Sequence, residues 1–197
     1  LWALTRFYRK KHLQYDKSEQ RVTLIVSCFN EKDVIQKKID NSLAIDYPPD
    51  LFEIVFVSDG STDGTDEVIQ QCEDPKVKLV RQEGRLGKTS GLNMTIPQTS
   101  GTFLVFSDAN AMYEPDAIKK LVRNFASSKI GYVVGAAIYT DGASSAAAES
   151  ENSYWEYELA IKKMESDLYS VVGGDGAIYS IRKELYQELD VRDINDF

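Results

Sequence analysis

Histidine is almost missing from these 197 residues: His12 stands alone in a polar, basic stretch and reads as a solvated surface residue. That excludes a histidine-based metal centre and a Ser-His-Asp triad within the core. The two cysteines, Cys28 at the end of an apolar run and Cys72 inside a helical pattern, are too few for the disulfide framework of a small secreted domain, and both read as reduced and cytosolic. No apolar run is long enough to span a bilayer, and no signal-peptide pattern is present. An excess of positive charge is also lacking. The formal net charge is -8, which argues against general affinity for nucleic-acid phosphates, so no nucleic-acid partner is expected. What is present is 43% hydrophobic residues, enough for the core of a single domain.

Both ends read as cut. The chain opens on Leu1-Trp2-Ala3-Leu4, followed at once by Arg6, Arg9, Lys10 and Lys11, the pattern of a transmembrane helix leaving the bilayer on the cytoplasmic side. The alternative is a short amphipathic helix that packs Trp2 and Phe7 on the domain. Residues 1–20 are accordingly set apart as a juxtamembrane segment and 21–197 as the folded domain. The close on Asn195-Asp196-Phe197 reads as an internal breakpoint.

Residues 22–26, 52–57 and 102–106 are short, nearly continuous apolar runs, the pattern of strands covered on both faces. Helical spacing follows over 31–44 (Ile35, Ile39, Leu43), 63–72 (Val68, Ile69, Cys72) and 115–126 (Ile118, Leu121, Val122, Phe125), with Pro115 suited to a first turn. Residues 133–138 read as another strand, 140–150 as a loop, 151–166 as a helix, and 171–180 as a Gly-rich turn entering a short strand before a last helix near 183–189. Such alternation predicts an α/β fold: a mainly parallel, doubly wound, Rossmann-like sheet with helices on both faces. Ligands of such sheets lie beyond the carboxyl ends of the strands.

Polar clusters stand at those ends. Asp59 follows the second strand directly, placed to accept hydrogen bonds from a base or ribose, whereas Asp63 reads as a helix cap. Asp108 and Asn110, one residue apart, offer oxygen ligands suited to Mg²⁺ or Mn²⁺, with Asp108 carrying most of the charge compensation. Gly84-Arg85-Leu86-Gly87-Lys88 sets two cations beside glycines just before a helix, a candidate phosphate cradle. It lacks the GxxxxGK[ST] spacing of a Walker A loop.

In this order, Phe29-Asn30-Glu31, the run from Ser58 to Thr65, and Gly87-Lys88 leading to Gly91-Leu92-Asn93 resemble the family 2 glycosyltransferases, which include cellulose, chitin and hyaluronan synthases. The resemblance runs from about Val22 to Phe197 and implies a GT-A (nucleotide-diphospho-sugar transferase) fold, here truncated at its C-terminus. It implies that Asp59 holds base and ribose, Phe29 packs on the base beside Asn30 and Glu31, and Lys88 lies near the diphosphate, with Arg85 of the candidate phosphate cradle counted among the nucleotide-sugar-binding residues. The family's metal-binding DxD motif falls on Asp108-Ala109-Asn110. Gly174-Asp175-Gly176-Ala177 with Arg182 is similar to the segment lining the donor-sugar and acceptor side, a tight turn plus a surface Arg being the other reading of Arg182. Asp196 falls where the family has its catalytic base.

The implied reaction is an inverting transfer from a nucleotide-diphosphate sugar, UDP-sugar by family expectation, to a hydroxyl of a growing polysaccharide or other saccharide or lipid-linked acceptor. The implied setting is the cytoplasmic face of the cell membrane, reached through segments outside this chain. Two departures stand out: Ser27 replaces a proline often found before the first aromatic, and the Gln-x-x-Arg-Trp acceptor motif is missing. A non-catalytic nucleotide-sugar-binding or scaffold domain is therefore the alternative. A nucleotidyltransferase is disfavoured, because 27–31 holds none of the glycines its first loop requires.

Overall fold

The computed structural model describes residues 20–136, 146–168, 170–171, 173–174 and 176–191. In chain order its elements are β1 (Val22–Cys28), α1 (Lys32–Leu43), β2 (Phe52–Ser58), α2 (Thr65–Gln70), β3 (Val77–Arg81), α3 (Lys88–Thr95), β4 (Phe103–Asp108), α4 (Ala117–Val122), β5 (Tyr132–Val134), α5 (Ala146–Leu168) and β6 (Tyr179–Arg182). The strands form one sheet in the order β3-β2-β1-β4-β6-β5. Pairings among β1 to β4 are parallel, while β6 runs antiparallel to both β4 and β5.

The apolar runs become the middle of the sheet because both of their faces are covered. Alternate residues feed two cores, as the two-residue period of a strand requires. Leu24, Val26, Ile54, Phe56 and Val105 meet Ile35 and Ile39 of α1, Ile69 of α2 and Ile118 of α4. On the other face, Ile25, Val55, Val57, Leu104 and Phe106 meet Leu92 of α3 and Ile96. The chain winds outward from β1 through β2 to β3, then returns to place β4 on the other side of β1. That reversal opens a crevice at the carboxyl ends of β1 and β4.

Several elements differ from their sequence reading. Strand β3 escapes the apolar-run pattern, because Lys78 and Arg81 interrupt it and it pairs only with β2 at the sheet edge. The α5 helix begins at Ala146, inside the stretch read as a loop: the run Ala146-Ala147-Ala148 has the highest helix propensity available even without an apolar period. The last helix expected near 183–189 is only a 3-10 turn, Lys183–Leu185. Beyond it Asn93 of α3 binds the chain, donating from Nδ2 to the Leu189 carbonyl at 2.7 Å and accepting from the Leu189 amide at 3.2 Å. The segment 1–19, with its membrane-exit and amphipathic readings, lies outside the described residues. Among those described, no helix is long and apolar enough to cross a membrane.

At the amino ends of the strands a buried carboxylate ties the sheet together. Glu53 accepts from the Thr23 hydroxyl at 2.6 Å, from Lys78 Nζ at 2.8 Å and from the Ser100 amide. Burial alone would raise its pKa, but the hydrogen bonds from Lys78, Thr23 and Ser100 outweigh it and bring the carboxyl down to about 2. A depressed carboxyl stabilises the fold above its unfolded value near 4.3, and that contribution disappears as pH falls through the folded value. Thermal melts between pH 5 and pH 2 are therefore expected to lose stability worth at most about 3 kcal/mol from this group. The Glu53→Gln variant should start lower and fall less across the same window; equal slopes in both proteins would refute the assignment.

Candidate functional site

Two helix starts and two strand ends are laced together where β1 and β2 finish. Asn30, at the left-handed φ of 54° that asparagine tolerates, accepts the Thr62 amide on Oδ1 at 2.9 Å and donates its own amide to Ser61 Oγ at 3.1 Å. Asp63, read as a helix cap, stands one residue before Gly64, the N-cap of α2; it accepts from the Thr65 amide and hydroxyl, and also from the Lys32 amide at the start of α1. The Thr65 hydroxyl, with help from the two amides, holds the Asp63 carboxyl below the usual carboxylate range. Asn30, expected to touch donor, also braces the two strand ends.

Asp59 sits at the end of β2 and is already engaged by the protein. Its Oδ1 accepts from the Leu86 amide at 2.7 Å, from Gln82 Nε2 at 2.8 Å and from the Gly87 amide at 3.0 Å. Oδ2 takes only a longer share of the Gly87 amide, at 3.1 Å, and so keeps the lone pairs a base N–H or ribose hydroxyl would use. The loop from Gly84 to Gly87 is therefore shaped by Asp59. Gly60 has to be glycine here: its φ is 70°, and a Cβ would stand 2.6 Å from the Gly84 carbonyl oxygen.

Phe29, Glu31, Asp59, Arg85, Lys88, Asp108 and Asn110 all line one cavity of about 410 Å³ beyond the strand ends. The Arg85 guanidinium lies 4.2 Å from the centre of the Phe29 ring, so one face of the ring is covered by a cation rather than open to a base. Lys88, first residue of α3, donates to Asp108 Oδ1 at 2.9 Å. Burial, then the charges of Asp108 and Asp63, raises the pKa of Glu31. Burial also pushes the Cys28 thiol up to about 12, which removes it as a thiolate nucleophile in this cavity. Arg182 is not a surface residue facing the cavity: its guanidinium donates to the carbonyls of Phe125, Ser127 and Ile130 and lies over the Phe103 and Phe125 rings. Asp175 and Asp196 lie outside the described residues.

This constellation can be set beside known proteins. Residues 23–190 match the model of the glycosyl transferase family 2. The chain belongs to that family. Among relatives of this family 2 domain, poly-beta-1,6-N-acetyl-D-glucosamine synthase of Staphylococcus aureus is 32% identical over 130 residues, 64% of this chain and 31% of the relative. Beta-monoglucosyldiacylglycerol synthase of Synechocystis is 35% identical over 115 residues, 56% of this chain and 24% of the relative. The chain thus spans about a third or less of the length of these curated relatives. Among solved structures, the mannosyltransferase PcManGT of Pyrobaculum calidifontis, in complex with GDP-Man and Mn²⁺, superposes with a TM-score of 0.78 and 26% identity over 93% of this chain and 51% of that one.

Three residues at or behind this cavity escape a reading of motifs. Gln82 directly follows β3 and is 2% exposed; its Nε2 also donates to the Gly87 carbonyl at 3.1 Å, and its Oε1 has no hydrogen-bond partner among the described groups. The signal is a polar residue two positions after the apolar pair Leu79-Val80. Lys38 is fully buried, with its ammonium 4.3 Å from the Tyr113 ring centre, and burial lowers its pKa to about 7 against the opposing charge of Asp108. Its signal is a lysine in register with Ile35, Ile39 and Ser42 on the buried face of α1. Tyr113 joins it, donating from its hydroxyl to the Phe106 and Ala177 carbonyls.

The oxygen set fits a hard divalent cation only in part. Among the described residues no cluster of three acidic, histidine or cysteine side chains could hold a metal alone. Asp108, Asn110 and Glu31 instead offer two carboxylates and one amide on a shared cavity wall. That is the donor set expected where a Mg²⁺-like ion is completed by the phosphates of its substrate.

Proposed function

We propose that this domain binds a nucleoside-diphosphate sugar and transfers the sugar, with inversion, to a hydroxyl of a growing polysaccharide or of another saccharide or lipid-linked acceptor. The observation carrying the reading is the pair Asp59 and Asp108 on the ends of β2 and β4, with Lys88 against Asp108, all facing one cavity. PcManGT, similar in fold, holds GDP-Man and Mn²⁺. UDP is the nucleotide proposed here, on family resemblance, and the cytoplasmic face of a membrane is the proposed setting.

Each side chain has a task set by its chemistry. Oδ2 of Asp59 accepts from the base or ribose, and the Phe29–Arg85 stack offers the base a flat, cationic neighbour. Lys88 and Arg85 meet the diphosphate. A Mg²⁺ or Mn²⁺ held by Asp108 and Asn110, with Glu31 nearby, would supply positive charge where negative charge grows on the departing diphosphate. Asp175 is assigned to the donor sugar and Asp196 to the proton of the acceptor hydroxyl.

Calorimetric titration of the chain with UDP and with GDP, with and without Mn²⁺, tests this reading. Binding of one of them is expected to strengthen with Mn²⁺ and to weaken at least about tenfold in Asp59→Ala, which removes a charge-assisted acceptor. Absence of binding by either nucleotide, with or without the metal, would overturn it. Tight binding with no transfer by the whole gene product would favour the non-catalytic binding domain instead.

A further inference from the structure

Lys38 has no obvious reason to be a lysine. It lies on the face of α1 that packs Ile35 and Ile39 into the core, and it is completely buried. Taking an ammonium out of water costs several kcal/mol, and an apolar side chain of the same length would fill the space without that penalty. Its partners are a hydroxyl, a carbonyl and a ring rather than a carboxylate: Ser107 Oγ at 2.7 Å, the Ala111 carbonyl and the face of Tyr113.

Those two oxygens bracket the turn that carries Asp108 and Asn110. Ser107 precedes it and Ala111 follows it, and the Ala111 amide closes it on the Asp108 carbonyl at 3.3 Å. Ala109, between the two oxygen ligands, is buried against the core, so the turn cannot drift outward. Asn41, one helical turn beyond Lys38, continues the clamp: its Nδ2 donates to the Tyr113 carbonyl at 2.9 Å and its Oδ1 accepts the Tyr113 amide at 2.8 Å. Helix α1 thus grips the strap from Ser107 to Tyr113 from beneath, while the upper side of that strap forms the cavity wall.

We infer that Lys38 is a positioning residue for the donor: pinned between Ser107 and Ala111, its ammonium fixes where the Asp108 and Asn110 oxygens stand relative to a cation–diphosphate. The inference rests on reading the cavity as a nucleotide-sugar site. It accounts for a buried cation that touches neither the cavity nor any carboxylate. A site one carboxylate short of the family's DxD pair also depends more on placement, because a neutral amide must be held in reach to contribute at all.

The test compares the chain with its Lys38→Met and Lys38→Gln variants, using UDP and Mn²⁺ as probes. Thermal melting, UDP affinity without metal and UDP affinity with metal are read on each. Lys38→Met is expected to melt close to the parent chain and to keep its metal-free affinity, while the Mn²⁺-dependent gain in affinity falls by about 10- to 100-fold, the range for groups that orient metal ligands. Lys38→Gln keeps a hydrogen-bond donor without the charge and should recover part of that gain. An undiminished Mn²⁺ gain in Lys38→Met overturns the inference. So does a fall in metal-free affinity that tracks a falling melting temperature, since that is what a purely structural lysine would give. Should Lys38→Met fail to fold, Lys38→Gln decides by itself: a gain equal to the parent's overturns the inference, and a reduced gain at unchanged metal-free affinity supports it. If the parent chain binds UDP neither with nor without Mn²⁺, the reading of the cavity fails first, and that result is distinct from any of these.

Discussion

Replacing Asp108 by asparagine is expected to abolish most of the Mn²⁺-dependent gain in nucleotide affinity and to slow sugar transfer by about 10²- to 10³-fold, the usual cost of removing one group that stabilises developing charge. The size follows from what remains. Asn110 is neutral and cannot replace the charge of the lost carboxylate, which leaves Glu31 as the one acid of the proposed ligand set. The fold is expected to survive, because asparagine keeps the shape of aspartate at the half-exposed end of β4 and its amide oxygen can still accept from Lys88. Melting should move little. Calorimetry with UDP, with and without Mn²⁺, separates the two contributions, and an Asp108→Asn variant with a full Mn²⁺ gain would remove Asp108 from the metal site.

The Lys88–Asp108 ion pair gives this prediction a second edge. In the nucleotide-free fold each charge satisfies the other at 2.9 Å. A donor that brings both a diphosphate and a cation offers each a new partner of opposite charge, so the pair can part without leaving either side chain uncompensated. Nucleotide alone offers a partner only to Lys88. That asymmetry is a physical reason to expect metal and nucleotide to bind better together than either does separately.

Where the signal was local, the fold and site were legible in the sequence. Unbroken apolar runs mark β1, β2 and β4 because central strands are buried on both faces, and the residues directly after such runs must reach the ligand crevice, which is how Phe29, Asp59 and Asp108 could be placed. The reading failed where a residue's role depends on a partner far along the chain. Nothing near Asn30 announces that its side-chain oxygen accepts from Thr62, nor near Arg182 that its guanidinium caps the carbonyls around Ser127. Lys38 looks like a lapse in an amphipathic pattern until Ser107, sixty-nine residues on, is seen against it. The edge strand β3 was missed for a related reason: with one neighbour and its apolar run interrupted by Lys78 and Arg81 it carries no continuous pattern, yet it leads into Gln82, which reaches Asp59.

Asp196→Asn is expected to do something different from Asp108→Asn: to leave UDP affinity and its Mn²⁺ gain within about twofold of the parent while slowing transfer by about 10²- to 10⁴-fold, the range for a general base. Donor binding and proton removal are separate tasks in an inverting transfer. In the proposed mechanism the diphosphate would leave toward Lys88 and Asp108, whereas the attacking hydroxyl would approach the anomeric carbon from the opposite side and lose its proton there. The chain heading toward position 196 is anchored on the same helix that begins with Lys88, since Asn93 of α3 also accepts a hydrogen bond from the Tyr186 hydroxyl besides holding Leu189. One helix thus joins Lys88 on the cavity to the stretch from Tyr186 to Leu189. Transfer has to be measured on the whole gene product, because the chain spans only 31% of the Staphylococcus relative. Unimpaired turnover in Asp196→Asn would send the base role to another acid, while loss of UDP binding in that variant would mean that Asp196 belongs to the donor side.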